Sequence, residues 1–247
     1  MVIIEKLRYA IKHEGIYPVF QPIYNNKTKK VTKYEALVRM RDTDGNIIPP
    51  NLFLENAKES GLYPNITRIM IEKTLAKFRD SNCEASINLS INDIRDAKMR
   101  DFILNSVKNF PDPQRIVFEL LETERINDFE LINDFIDKLK EIGGKIAIDD
   151  FGSGYSNMIY LARIKSDYIK MDGSIIKELL TDDKVAQTVE VINNYSKITN
   201  QRVIAEFVSN KDIQKKIEQI GVAFSQGYYI GKPQEALLPP DFQLPQK

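Results

Sequence analysis

The sequence has very few of the residues on which many enzyme classes depend. Its 247 residues include one cysteine, one histidine and no tryptophan. A single cysteine, Cys83, excludes internal disulfides and cysteine-rich zinc sites. A single histidine, His13, excludes zinc sites of the HExxH type, and its place in a charged helical pattern argues against a Ser-His-Asp triad. An enzyme with this sequence must therefore use carboxylates, amides and lysine, around hard metal ions.

The sequence also lacks an excess of either charge and any long apolar run. Lysine plus arginine and aspartate plus glutamate number 35 each, which argues against DNA or an anionic membrane as partner. No apolar run approaches the roughly 18 residues that span a bilayer, so we expect no membrane insertion of this chain. The N-terminus carries Glu5, Lys6 and Arg8 where a signal peptide is apolar. We expect a soluble, cytoplasmic domain.

Short apolar segments of strand type alternate with amphipathic segments of helical length. The predicted strands are residues 17–23, 31–40, 85–89, 116–121, 145–149, 168–171, 202–207 and 223–230. The predicted helices are residues 51–60, 65–79, 93–109, 128–142, 174–199 and 211–220, with a weaker one at 156–163. This alternation is typical of parallel βα units, and about eight strands in a chain of this length suit a (β/α)8 TIM barrel.

The connection between the first two predicted strands departs from that pattern. Only residues 25–30 join these strands, which is too short for a crossover helix and predicts an antiparallel hairpin. We therefore expect an α/β fold, a modified (β/α)8 TIM barrel with one antiparallel strand. An open doubly wound sheet is the alternative. The sequence contains neither a GxGxxG segment after a strand nor a P-loop, so a dinucleotide-binding or P-loop site has no support.

Polar side chains recur at the carboxyl ends of the predicted strands, where barrel enzymes carry their active sites. One acidic residue at such a place usually caps a helix, but here nearly every strand ends in a carboxylate or amide. Two carboxylates ~4 Å apart repel by roughly 4 kcal/mol at an effective dielectric of 20. Bound Mg²⁺, Mn²⁺ or Ca²⁺ would remove this repulsion, and a carboxylate shared by two ions would support in-line displacement at phosphorus. Arg39 and Lys170 at the same rim are suited to an anionic substrate.

The same residues make the sequence similar to the EAL-domain family of cyclic di-GMP phosphodiesterases. The tripeptide Glu35-Ala36-Leu37 is one of an ordered series of motifs that spans residues 17–233. The others are Gln21-Pro22-Ile23, Asn88-Leu89-Ser90, Glu119-Leu120-Leu121-Glu122, Asp149-Asp150-Phe151-Gly152-Ser153-Gly154-Tyr155-Ser156, Lys170-Met171-Asp172, Ala205-Glu206 and Gln226-Gly227-Tyr228. The resemblance implies a single EAL-type domain over residues 1–247, with a barrel in which one strand is antiparallel.

The resemblance also implies a role for each matched residue. The implied ligands of two divalent cations, Mg²⁺ or Mn²⁺ with Ca²⁺ as an inhibitor, are Glu35, Asn88, Glu119, Asp149, Asp150 and Glu206. Asp149 would bridge the two ions. The implied catalytic residues are Lys170, Glu206 and Gln226, and the implied substrate contacts are Gln21, Leu37, Arg39 and Asp172. Glu122 would anchor the loop that follows Asp150. Neighbouring residues in a regular strand point to opposite faces, so we expect Asp150 just past the strand end.

The activity implied is hydrolysis of one phosphodiester bond of cyclic di-GMP to give linear pGpG. A homodimer and fused or separate sensor domains are the implied partners. One alternative is an EAL domain that acts as a cyclic di-GMP receptor or protein-interaction module. Another is a barrel glycosidase with paired carboxylates, which the lack of tryptophan and an aromatic content of only 9% disfavour.

A few positions depart from the family pattern without removing an implied metal ligand. Met40, Leu121 and Lys232 are substitutions of this kind. Phe207 and Ser209 follow Glu206 closely, in a stretch where the family commonly has a glycine and a second glutamate. A bulky Phe207 is expected to tilt this strand end or narrow the nucleotide pocket, so we predict activity that is retained but reduced.

Overall fold

The computed structural model describes residues 2–121, 129–153 and 158–245. The strands are β1 (Ile16–Asn25), β2 (Lys30–Arg41), β3 (Ile47–Ile48), β4 (Glu84–Leu89), β5 (Ile116–Leu121), β6 (Lys145–Phe151), β7 (Tyr168–Met171), β8 (Arg202–Ala205) and β9 (Phe224–Gln226). The helices are α1 (Ile3–Lys12), α2 (Leu54–Glu59), α3 (Tyr63–Phe78), α4 (Ile91–Arg95), α5 (Ala97–Lys108), α6 (Phe129–Glu141), α7 (Met158–Arg163), α8 (Gly173–Glu178), α9 (Asp183–Ile198) and α10 (Lys211–Ile220). In this part of the chain no helix is both long and apolar enough to cross a membrane.

Eight of the strands close into a barrel, and the ninth, β3, extends it at one edge. The order is β1-β9-β8-β7-β6-β5-β4-β2-β3, and β1 also pairs with β2 to complete the ring. Strand β1 runs antiparallel to both of its neighbours, whereas the pairs from β2 through β4 to β9 are parallel. The predicted modified barrel is confirmed, with β1 reversed by the short first hairpin. The open sheet is wrong, because β1 pairs with both β2 and β9 and closes the ring.

Two of the predicted long helices are each divided in two by a capping residue. The segment 93–109 is divided because the side chain of Asp96 accepts a hydrogen bond from Met99 N and starts α5. The segment 174–199 is divided in the same way, since Asp182 caps α9. The last two predicted strands are shorter than expected and end at Ala205 and Gln226. Capping side chains thus interrupt segments whose apolar pattern is continuous.

The barrel interior contains an apolar layer between two polar ones. This inner layer consists of Ile23, Val117, Ala147, Tyr168, Ile204 and Phe224. A larger apolar cluster packs the helices onto the outside of the barrel. Because side chains alternate between faces along a strand, residues two positions beyond the inner layer also point inward, at the carboxyl ends of the parallel strands. The inner layer therefore supports the inward-pointing side chains at the carboxyl ends of the parallel strands.

A network of charged side chains closes the opposite end of the barrel. Glu84 at the start of β4 accepts hydrogen bonds from Lys33, from Lys145 Nζ at 3.1 Å and from Tyr168 OH at 3.0 Å. The Lys33 side chain is only 3% exposed. Burial lowers the pKa of Lys33 to about 8, although Glu84 acts in the opposite direction. Glu84 is thus the counter-charge of a nearly buried ammonium.

Replacing Glu84 by glutamine should destabilise the barrel without touching the other end. Glutamine keeps the size of the side chain but leaves Lys33 without its anion, and breaking a buried ion pair costs about 3 kcal/mol. Chemical denaturation should show a loss of that size, and Glu141→Gln on the exposed surface of α6 is the matched control. A change below about 1 kcal/mol would contradict this role of Glu84.

Candidate metal and substrate site at the mouth of the barrel

A polar layer lies directly above the inner apolar layer, at the carboxyl ends of the parallel strands. On each parallel strand that has a residue in the inner layer, the residue two positions later in the sequence belongs to the polar layer. On the reversed strand β1 it is the residue two positions earlier. The resulting set is Glu119, Asp149, Lys170, Glu206, Gln226 and Gln21. Glu35 on β2 and Asn88 on β4 complete the layer. The barrel thus brings together polar residues from seven of its strands and Glu206 from just past the end of the eighth, β8.

Lys170 lies at the centre of this polar layer and contacts four carboxylates. Its Nζ is 2.6 Å from Glu119 Oε2, 2.8 Å from Asp149 Oδ1, 3.0 Å from Glu206 Oε1 and 3.3 Å from Glu35 Oε2. The Lys170 side chain is 1% exposed. Burial alone would lower the pKa of Lys170, but the carboxylates raise it well above its usual range. Lys170 is therefore a buried cation that faces more negative charge than it can neutralise.

The carboxylates form two groups that share one residue. Glu35, Glu119 and Asp149 place one oxygen each within 4.8 Å of one another, and so do Asp149, Asp150 and Glu206. Asp149 belongs to both groups, as its predicted bridging role requires. Among the described residues, this arrangement provides two adjacent sites for cations that prefer oxygen ligands.

Asp150 reaches the site by a different route from the one that the sequence predicts. Strand β6 does not end before Asp150 but continues to Phe151. Its pairing with β7 shifts between Ile148 and Phe151, and Asp150 has a φ of 56°. This irregularity is a β-bulge, in which two residues of one strand oppose a single residue of the other and the local direction of the side chains changes. The expectation that Asp150 lies past the strand end is thus wrong, because the bulge re-aims it within the strand.

Amide side chains hold Glu35 in place from two sides. Gln226 Nε2 donates to Glu35 Oε2 at 2.6 Å, and Asn88 Nδ2 donates to Glu35 Oε1 at 3.0 Å. Gln226 Nε2 also lies 3.3 Å from Gln21 Oε1 on the reversed strand. Burial would raise the pKa of Glu35, but Lys170 and these amides lower it below its usual value. Glu35 is therefore held as a carboxylate with a fixed orientation.

The remaining carboxylates are pushed towards the protonated form. Burial raises the pKa values of Glu119, Asp149 and Glu206, and repulsion from neighbouring carboxylates adds to the effect. The same two causes, burial first, raise the pKa of Asp150 to about 6. The protein alone thus supplies too little positive charge for all five carboxylates to be ionised.

The donor set fits divalent cations. All the candidate ligands offer oxygen atoms, which is the preference of Mg²⁺, Mn²⁺ and Ca²⁺. Glu119 Oε1 and Gln226 Oε1 are buried and have no hydrogen-bond partner, and such orphaned oxygens are costly unless something binds them. The carboxylates that Lys170 leaves uncompensated point to the same conclusion.

A cavity of about 450 Å³ opens beside the polar layer. Three of the four residues predicted to contact the substrate line this cavity, namely Gln21, Leu37 and Arg39. It is also lined by residues that the sequence does not single out as site residues, namely Lys177, Tyr228 and Pro233, and by Phe207 and Ser209. Tyr228 is the last residue of the motif Gln226-Gly227-Tyr228, so the sequence does offer a signal for its place at the site. Lys177 lies on a helix, α8, where the sequence offers no sign of the cavity.

Two predicted site residues are not part of this arrangement as described. Asp172 follows β7, and its carboxylate accepts a hydrogen bond from Ser174 N at 2.9 Å to cap α8. Burial would raise the pKa of Asp172, but this capping lowers it. Asp172 does not line the cavity, and its substrate contact stays a prediction. Glu122, the predicted loop anchor, lies outside the described residues, as do residues 154–157 of the loop itself.

Comparison with known proteins gives matches over nearly the whole chain. The model of the family described as the EAL domain matches residues 4–233. The chain is 30% identical over 237 residues to the cyclic di-GMP phosphodiesterase PdeB of Shewanella oneidensis and 28% identical over 240 residues to PdeF of Escherichia coli. These alignments cover 93% and 95% of this chain but only 28% and 32% of the two relatives. The chain therefore spans about a third of their length.

A solved structure agrees with these matches. The PaMucR phosphodiesterase in complex with c-di-GMP superposes with a TM-score of 0.86 at 26% identity. The superposition covers 95% of this chain and 98% of that chain. The similarity in structure thus extends over nearly the whole chain.

Proposed function

The chain belongs to the EAL domain family, and from this membership and its site we propose that it hydrolyses cyclic di-GMP to linear pGpG with the help of divalent cations. The observation that carries the proposal is the pair of carboxylate groups that share Asp149. Two adjacent cations joined by one carboxylate are suited to displacement at phosphorus. The cavity with Arg39 beside these groups supplies a place for an anionic substrate.

The choice of cyclic di-GMP as substrate is supported by the relatives. PdeB and PdeF are named cyclic di-GMP phosphodiesterases, and the PaMucR phosphodiesterase structure is a c-di-GMP complex. A cyclic dinucleotide carries two phosphodiesters, and the guanidinium of Arg39 is suited to bind one of them by paired hydrogen bonds. Gln21 and Leu37 line the same cavity and complete the proposed contacts with the nucleotide.

The proposed metal ions are two, Mg²⁺ or Mn²⁺, with Ca²⁺ as an inhibitor. Glu35, Asn88, Glu119 and Asp149 would hold the first ion, and Asp149, Asp150 and Glu206 the second. When bound, such ions lower the pKa of a water molecule and polarise the phosphoryl oxygens.

The protein's own residues would orient the reactants. Lys170 uses its donor hydrogens on the surrounding carboxylates, and it would orient the attacking water once bound cations take over some of these contacts. Gln226 fixes Glu35 through a 2.6 Å hydrogen bond and keeps this ligand in place. Glu206, just past the end of β8, borders both the second group of carboxylates and the cavity, so it is placed to bind an ion or accept a proton. Preorganised charge of this kind is usually the largest contribution to such catalysis.

Several wider features stay predictions. These are the homodimer, fused or separate sensor domains, the cytoplasmic location and the extent of the domain over residues 1–247. The family resemblance also implies that the loop after Asp150 takes part in dimerisation, and residues 154–156 of this loop lie outside the described part of the chain.

The proposal is tested by removal of the metal and of one ligand. The purified protein should convert cyclic di-GMP to pGpG with Mn²⁺ or Mg²⁺, and a chelator should abolish the reaction. Glu35→Ala removes a ligand from one carboxylate group only, and we expect turnover to fall roughly hundredfold, about 2.7 kcal/mol in the barrier. Chromatography of the products is the measurement, and Glu190→Ala on the exposed face of α9 is the matched control.

The alternatives predict different results in the same assay. Tight binding of cyclic di-GMP with no pGpG would identify a receptor rather than an enzyme. Turnover that survives both the chelator and Glu35→Ala would contradict a metal site at this layer. Hydrolysis of glycosides without metal would identify the barrel glycosidase, which needs only its paired carboxylates.

A further inference from the structure

Phe207 is an unusual residue for the wall of a polar cavity. It follows Glu206 directly and lines the cavity that contains Arg39 and the second group of carboxylates. Its side chain is large and apolar, yet 55% of the residue is exposed. More than half of this residue is therefore accessible to a partner.

The backbone at Phe207 is strained in a way that glycine would avoid. Its φ is 52°, in the left-handed region. Most side chains avoid this region, at a cost of roughly 1–2 kcal/mol. Of the five described non-glycine residues with positive φ, two, Asp150 and Phe207, border the cavity. Backbone strain of this kind tends to be retained where the side chain has a use.

Neighbouring residues of α8 hold the ring in position. A Cβ atom on Gly173 would overlap Cγ and Cδ2 of Phe207, so the ring occupies the space that this glycine leaves open. Lys177 Nζ lies 4.8 Å from the ring centroid, within the range of a cation–π interaction. The ring is thus held in place although it is exposed, as a stacking surface needs to be.

We propose that Phe207 stacks on one guanine base of the nucleotide and positions it in the cavity. The inference rests on the proposed function, and it adds a substrate-binding residue at a position where the sequence departs from the family. Aromatic rings stack on any base because every base has a π-face. The sequence instead predicts that Phe207 tilts the strand end or narrows the pocket and so reduces activity, and the two hypotheses predict opposite effects of its removal.

Removal of the ring separates these hypotheses. With Phe207→Leu, stacking predicts a KM for cyclic di-GMP that rises roughly tenfold, with kcat within about twofold of the native protein. If Phe207 instead narrows the pocket, Phe207→Leu should lower KM or raise kcat. Phe207→Gly, which also relieves the positive φ, should then have the same effect. Tyr9→Leu removes an exposed ring from α1 and should leave both constants unchanged. An unchanged KM in Phe207→Leu would overturn the proposal.

A spectroscopic test uses the lack of tryptophan in this sequence. Phe207→Trp places the only tryptophan of the protein at the proposed contact, and Tyr9→Trp is the control. Both variants are titrated with cyclic di-GMP in the presence of Ca²⁺, the proposed inhibitor, and chromatography checks that the nucleotide stays intact. The nucleotide should quench the fluorescence of the tryptophan at position 207 but not that of the tryptophan at position 9.

The outcomes separate the proposal from the function on which it rests. If calorimetry detects nucleotide binding but the fluorescence at position 207 does not change, the stacking role is wrong and the proposed function stands. If the native protein neither binds nor hydrolyses cyclic di-GMP, the proposed function fails and the stacking role with it. Quenching that saturates together with the calorimetric binding curve would support both.

Discussion

Asp149→Asn is expected to reduce pGpG formation about 10⁴-fold without unfolding the protein. Asp149 is shared by both carboxylate groups, so the change removes an anionic ligand from both proposed ions at once. If each loss costs about a hundredfold, the barrier rises by roughly 5.4 kcal/mol. This effect should exceed that of Glu35→Ala, because Glu35 belongs to one group only. Initial rates at saturating Mn²⁺, measured by chromatography, give the comparison.

Stability measurements distinguish this result from simple misfolding. Asparagine has nearly the same size as aspartate, and Lys170 keeps three of its four carboxylate contacts. Removal of one of several repelling carboxylates should leave the unfolding free energy in chelator unchanged or slightly higher. The rise in Tm caused by Mn²⁺ should disappear, whereas Asp212→Asn on α10 should retain it. Activity within tenfold of the native protein would contradict the bridging role of Asp149.

Lys170→Met should make the fold depend on divalent cations. Lys170 contacts four carboxylates while only 1% exposed, and loss of one partner from such a buried cluster costs at least about 3 kcal/mol. In chelator we therefore expect Tm to fall by roughly 6–12 °C. Mn²⁺ or Mg²⁺ should recover most of this loss because bound cations replace the missing ammonium. Turnover should stay low even with metal, since the residue proposed to orient the attacking water is then missing.

The measurement is thermal unfolding with chelator and with each metal, alongside the pGpG assay. Lys165→Met is the matched control, since Lys165 forms an exposed pair with Asp137 and such pairs contribute about 0–1 kcal/mol. A Tm in chelator that is the same for Lys170→Met and for the native protein would contradict the view that Lys170 balances the carboxylates. Equal metal-induced shifts in both proteins would contradict the replacement of the ammonium by cations.

The sequence predicts much of the fold because its signals are local. The alternation of strand and helix patterns identifies the barrel, and residues 25–30 are short enough to predict the antiparallel first hairpin, which the structure confirms. The boundaries of several elements are less predictable. Segments 93–109 and 174–199 are apolar at helical spacing throughout, but capping by Asp96 and Asp182 divides each of them.

The candidate site is also largely predictable, down to the residues that meet. Side chains alternate along a strand and parallel strands end at the same rim, so Glu119, Asp149 and Lys170 are expected together from their positions alone. Lys177 is not predictable in this way, because it lies on a helix and lines the cavity only through the position of α8 beside Phe207. The orientation of Phe207 depends in turn on the missing side chain of Gly173.

Spacing between near neighbours in the chain predicts a barrel, its reversed strand and the set of polar residues at its mouth, but it leaves an open sheet as the alternative. The packing of distant segments closes the ring through the pairing of β1 with β9 and brings these polar residues into contact. The bulge in β6 that re-aims Asp150, and the contact of Lys170 with carboxylates from four other strands or strand ends, require distant segments to pack together. Such geometry depends on interactions between strands, and a pattern along one strand does not contain it.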